Sequence, residues 1–106
     1  MIITTTPAIS GKEITNYLGV VTGETIFAIN AVRDFFASIR DIVGGRTNSY
    51  EEVLTKARSE ALNEMQHRAE ALGADAIVGV HISYETLGGN ATMLMVCCTG
   101  TAVKLQ

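Results

Sequence analysis

The 106 residues carry 8 Lys and Arg against 11 Asp and Glu, a formal net charge of −3. Such a chain lacks the clustered cations that phosphate-rich partners require, so no nucleic-acid role is expected. Hydrophobic residues make up 47% and charged residues 18%, fewer charges than the usual quarter or so, and this shortage points to surface buried against further copies of the chain.

No basic-then-apolar leader and no apolar run of bilayer-spanning length is visible, and the two cysteines are adjacent rather than spaced as a disulfide framework. The expectation is one domain over residues 1–106, soluble and cytoplasmic, with no membrane partner.

The first element is strand-like: Met1 to Thr6, MIITTT, is rich in β-branched residues, and Pro7 ends it or confines it to a sheet edge. Ser10-Gly11-Lys12 is a turn. Glu13 to Asn30 then reads as one long bent strand, in which Gly19 and Gly23 suggest a bulge, a bend or a close backbone approach. Asn30 can cap a helix whose apolar stripe is Val32, Phe35, Phe36, Ile39, Ile42 and Val43, stopped by Gly44-Gly45.

The second and longer helix spans Ser49 to Gly73. Tyr50, Val53, Leu54, Ala57, Ala61, Met65, Ala69 and Leu72 recur mostly three and four apart, Ser49 with Glu52 is a capping box, and Gly73 sits where a left-handed cap belongs. After Ala74-Asp75, the strand AIVGVHISYE alternates: Val78, Val80, Ile82 and Tyr84 are expected toward the helices, with Ile77, Gly79, His81, Ser83 and Glu85 on the other side. Gly88-Gly89-Asn90 signals a hairpin turn. The last strand, TMLMVCCTGTAVKL, has apolar residues on both faces and a candidate bulge at Gly100; burial of both faces again implies a partner subunit. Strand, helix in two pieces, strand, strand describes an α+β two-layer domain with a largely antiparallel sheet.

Four ordered blocks, YLGVVTGE (Tyr17 to Glu24), VRDFFASIRDIVGGRTNSYE (Val32 to Glu51), LGADAIVGVHISYE (Leu72 to Glu85) and MLMVCCTGTAV (Met93 to Val103), together resemble the YbjQ family, small bacterial proteins described as candidate heavy-metal-binding domains. The resemblance covers nearly the whole chain. It implies a dodecin-like β-α-β-β subunit assembled into a ring, commonly a homopentamer, with a possible metal ion and no established enzymatic activity. Cys97-Cys98 departs from the family pattern, which often has small residues or Thr there, so the pair is not a family-wide ligand set.

Cys97 and Cys98 invite a soft metal ion, but adjacent strand residues point to opposite faces, so one chain cannot aim both thiols at one ion without a bulge. The plainer reading of a strand Cys is a small buried hydrophobe. Folding the hairpin about Gly88-Gly89 sets His81 level with Val96 and on the face of Cys98, and a one-residue slip would replace Cys98 by Cys97. Cys97, Cys98 and His81 are therefore the candidate metal ligands, and His67 reads as solvated. Arg40, Gly44, Gly45 and Arg46 could hold an anion, against the plainer reading that the two arginines satisfy helix-end carbonyls or pair across a subunit boundary. No nucleophile–base set, phosphate loop or dinucleotide fingerprint is present, and an enzyme is not expected. The functional expectation is a metal-binding homo-oligomer, with a scaffold or a holder of small organic ligands as the alternative.

Overall fold

The computed structural model describes residues 1–28, 48–87 and 93–106, with only the backbone described at residues 28 and 48–50. The helix expected over Val32 to Val43, the Arg40–Arg46 cluster and the Gly88-Gly89-Asn90 turn lie outside the described residues. The elements run β1 (Ile2–Ile3), β2 (Ile14–Ala28), α1 (Asn48–Ala71), β3 (Ala76–Leu87) and β4 (Met93–Leu105). They form one four-stranded sheet in the order β1-β3-β4-β2, with α1 packed on one face. β1 pairs in parallel with β3, and the other two pairings are antiparallel.

Helix α1 follows its alanine stripe. Ala57, Ala61, Met65 and Ala69 are buried at every fourth position, so the helix rests on the sheet through small side chains with one large filler. Burying Met65 completely contributes on the order of 2 kcal/mol, while the alanines contribute mainly by letting the backbone come close. At the other end Gly73 has φ 81°; its N–H reaches the Glu70 carbonyl at 2.9 Å and the Ala74 N–H reaches Ala69 at 3.1 Å. This reciprocal pair is a Schellman cap. Leu72, expected on the stripe, falls beyond the last helical residue and is 49% exposed.

The close approach has a specific cause on β2. A Cβ at Gly23 would overlap the Ala61 carbonyl oxygen and lie 2.8 Å from the Met65 nitrogen. The helix backbone therefore occupies the space that any other residue at position 23 would need. Next to it the Thr25 hydroxyl donates to the Ala57 carbonyl at 3.0 Å, a direct polar tie between strand and helix. Gly19, by contrast, sits at a register shift in the β2–β4 pairing with φ 133°.

The bulge expected at Gly100 lies across from it on β3. Between the pairs Val78↔Thr101 and His81↔Thr99, β3 spends three steps and β4 two, and Gly79 takes φ 63° to absorb the extra residue. Gly100 is small for another reason: a Cβ there would meet the Ile77 and Val80 methyls at 2.6 and 3.1 Å. The extra residue also corrects the expected alternation. Ile77 joins the core under α1, Val78 turns to the opposite side, and beyond the bulge Val80 and Ile82 return to the helix side.

The strand expected over Met1 to Thr6 shortens to two residues, because Thr4 and Thr6 bond to the bulged backbone of β3: Val80 N–H donates to Thr4 O at 3.0 Å and Gly79 N–H to Thr6 O at 2.9 Å. The Ser10-Gly11-Lys12 turn is present, with a Lys12 N–H to Ile9 O bond of 3.2 Å. Ile9 and Ile14 pack on Ala76, Val78 and Val103, so the segment from β1 to β2 covers one end of the face opposite α1 within the chain itself. At the same end Asp75 Oδ2 accepts the Leu105 N–H at 2.8 Å, with Lys104 Nζ 3.7 Å from Oδ1.

Two outcomes are expected. Gly23→Ala should lower stability by roughly 3 kcal/mol, the upper part of the overpacking range, because helix backbone rather than a flexible side chain must move; a urea melt within 1 kcal/mol of wild type would contradict the close approach. Asp75 is held below the usual carboxylate range by the Leu105 N–H first, with Lys104 adding to it. Its stabilisation is present above the ordinary carboxylate pKa and is lost as pH falls through the depressed value. Asp75→Asn should therefore flatten the acid limb of the stability–pH curve below about pH 4, measured as urea midpoints across pH.

Candidate functional site

Strand β4 is the middle of three long strands, so its two thiols are decided by which neighbours share each face. Cys98 pairs with Gly23 on β2 and Ile82 on β3, which puts it under α1. It is fully buried, and its Sγ lies 3.2 Å from the Ala61 carbonyl and 3.5 Å from that of Gly23. A thiol donating to carbonyls is protonated, and burial, followed by its neighbour Cys97, pushes its pKa up. Cys98 is part of the helix–sheet contact.

Cys97 faces the other way and is half-buried. Its partners are Glu24 on β2 and Ser83 on β3, so Glu24, Cys97 and Ser83 form one row across three strands. His81 pairs with Thr99 and Glu85 with Met95, placing His81 and Glu85 on the rungs either side of that row, on the same face and roughly 7 Å away along the diagonals. Burial raises the Cys97 pKa first, with Glu24 and then Glu85 adding to it. The two carboxylates oppose a bare thiolate and are themselves oxygen donors that a cation would satisfy.

The expected register is thus corrected. Tyr84, rather than His81, pairs with Val96, and among the described residues the ladder runs to Leu87↔Met93. His81 consequently shares its face with Cys97 and not with Cys98. His67, read as solvated, has an 80% exposed side chain 4.0 Å from Glu70. Among the described residues no three of His, Cys, Asp and Glu converge closely enough to hold an ion.

Ser83 and Glu85 were legible as companions of His81 from alternation alone, whereas Glu24 has no local signal and enters only through the β2–β4 register. Around the row stand exposed apolar side chains, Val20 at 76%, Ile26 at 53% and Met93 at 39%, which pair with Thr101, Met95 and Leu87. This open half of the sheet joins a thiol, an imidazole and two carboxylates to uncovered apolar surface.

The whole chain, residues 1–106, matches YbjQ, a family described as "Putative heavy-metal-binding". The chain belongs to the YbjQ family. Among solved structures it is similar to a protein with unknown function from Pediococcus pentosaceus, of the DUF74 family, at 20% identity, with 100% of this chain and 98% of that one covered and a TM-score of 0.59. That likeness establishes the shared α+β fold. No described helix of this YbjQ chain is long and apolar enough to cross a membrane.

The two environments predict unequal thiol chemistry. Cys98 should resist alkylation until the protein unfolds, and in a Cys97→Ser variant the labelling rate should follow the unfolded fraction in urea. Rapid modification of Cys98 in the native Cys97→Ser protein would contradict its placement.

Proposed function

We propose that this YbjQ chain is a self-assembling heavy-metal-binding protein whose ion is taken at Cys97 on the open sheet face, with His81 and the neighbouring glutamates as accessory donors. The observation that carries the reading is the row Glu24–Cys97–Ser83, which sets a half-buried thiol between strands bearing a carboxylate and an imidazole. A thiolate suits soft and borderline ions such as zinc, cadmium or copper(I). One described chain brings too few donors together, so the ligand set is completed by a second copy, in a ring whose count of five follows the family pattern. Cys98 serves packing. The protein holds an ion rather than transforming a substrate, and does so in the cytoplasm.

Binding must displace the Cys97 proton, whose pKa is raised, so affinity should increase with pH across the neutral range. Anaerobic titration with cadmium, followed by the sulfur-to-metal charge-transfer band, tests the proposal. The band should saturate at a fixed ratio of ion to chain, disappear in Cys97→Ser, weaken in His81→Ala and persist in Cys98→Ser. A wild type with no band, or a Cys97→Ser variant that keeps it, would overturn the metal reading and favour a scaffold or a holder of small organic ligands.

A further inference from the structure

We infer that Met95 is a ligand to the ion taken at Cys97, and that this pair of sulfurs makes the site one for monovalent soft cations, copper(I) or silver(I), ahead of zinc. The inference rests on the metal reading proposed above and names the residue that sets its selectivity.

The 4 methionines of the chain are not equivalent. Met65 is fully buried under α1 and fills the core. Met1 precedes β1, whose Ile2 stands beside Ala76, at the opposite end of β3 from the rungs around Cys97. Met93 and Met95 lie on β4, on the face of Cys97, since the intervening Val96 and Cys98 belong to the core under α1. Alternate residues of a strand are about 6.8 Å apart, so Met95 is one such step from Cys97 and Met93 is two. Two sulfurs on one ion are separated by at most about twice a metal–thiolate bond, about 4.6 Å at the zinc value. The Met95 side chain is unbranched with three rotatable bonds, and closing a gap of about 2 Å is within its swing. A double step is beyond that of Met93.

A methionine on a strand ordinarily serves packing, as Met65 does in the helix. Met95 is placed differently. It is partly buried, yet among the described residues it packs on neither buried cluster. Its rung neighbours are Ile26 on β2 and Glu85 on β3, and the next rung of the same face is Glu24–Cys97–Ser83. Its thioether therefore belongs to the surroundings of the thiol, and only its sulfur distinguishes it there from any other apolar residue.

The kind of donor decides the kind of ion. A thioether is neutral and a weak acceptor. Zinc draws its protein ligands from thiolate, imidazole and carboxylate, whereas thiolate with thioether suits copper(I). Charge points the same way. One thiolate neutralises a monovalent ion and the thioether adds no charge, so the complex is neutral beside the apolar Ile26. A divalent ion on the same thiolate stays positive and needs Glu24 or Glu85 turned onto it. Donor number agrees as well: zinc takes four ligands, and among the described residues no three of His, Cys, Asp and Glu converge. A monovalent soft ion accepts fewer, and each chain already places Cys97 and Met95 next to each other on one face. The second copy then has less to add.

Met95→Leu conserves volume and apolar character and removes the sulfur. In anaerobic titrations of the full chain, copper(I) affinity is measured in competition with bicinchoninate, whose cuprous complex is coloured, and cadmium affinity from the sulfur-to-metal band. Met95→Leu should lower copper(I) affinity at least about tenfold and leave cadmium affinity within about twofold of wild type. Met93→Leu should leave both unchanged, Cys97→Ser should lose both, and excess zinc should not displace copper(I) from wild type. On wild type with isotopically labelled methionine methyls, silver(I) should shift the Met95 resonance in proportion to the bound ion and leave that of Met65 in place. A Met95 methyl that does not move, wild-type copper(I) affinity in Met95→Leu, an equal loss of cadmium in that variant, or displacement by zinc would each overturn the inference. Cadmium held at Cys97 while Met95 stays silent overturns this inference alone, whereas a wild type that binds neither ion overturns the metal reading with it.

Discussion

The structure depends on how closely α1 lies on the sheet. Packed layers ordinarily stand apart by the length of their core side chains, about 10 Å between two stacked sheets. Here one side of the contact is Gly23 and the other is the backbone of Ala61, flanked by Ala57 and Ala69. The attraction is dispersion between many atoms at near-contact, each pair worth little, together with the Thr25 and Cys98 bonds to helix carbonyls. Because the fit is made by small residues, it fixes the helix in position as well as in distance.

That separation of faces explains why two consecutive cysteines have unrelated environments. The helix side is filled, dry and carbonyl-lined, so Cys98 is held as a neutral thiol. On the opposite side, among the described residues, cover lies at one end, where the crossing segment brings Ile9 onto Val78 and Val103. The remaining half gathers ionisable groups from three strands around Cys97. The helix contact and the ionisable row around Cys97 therefore lie on opposite surfaces of the same strand, and a change on one need not disturb the other.

What could be read from the residues was what local rules govern. The long helix was placed at Ser49 to Gly73 and is observed at Asn48 to Ala71, because its period and its glycine cap are properties of neighbouring residues. Gly19 and Gly23 were recognisable as special, and they proved to be a register shift and a close approach. What failed depended on cross-strand geometry. Ile77 and Val78 were assigned to sides as if alternation ran unbroken through the bulge, and, separately, folding the hairpin about Gly88-Gly89 set His81 beside Cys98. The observed register, with His81↔Thr99 and Tyr84↔Val96, places it beside Cys97 instead. Glu24 could not be found at all, since nothing near it in sequence announces that it faces a thiol seventy-three positions away.

The bulge at Gly79 has a broader consequence for how this surface is encoded. A strand has only two sides, so a bulge acts as a parity switch: it inverts every side chain that follows relative to unbroken alternation of the same residues. In β3 it allows Ile77 and Val80 to share the core although they lie an odd number of positions apart, and it sends His81, Ser83 and Glu85 outward together. The chemistry of the open face is thus written partly in the bulge: the same residues run in unbroken alternation from Ile77 would turn His81 and Glu85 toward the helix and Ile82 away from it.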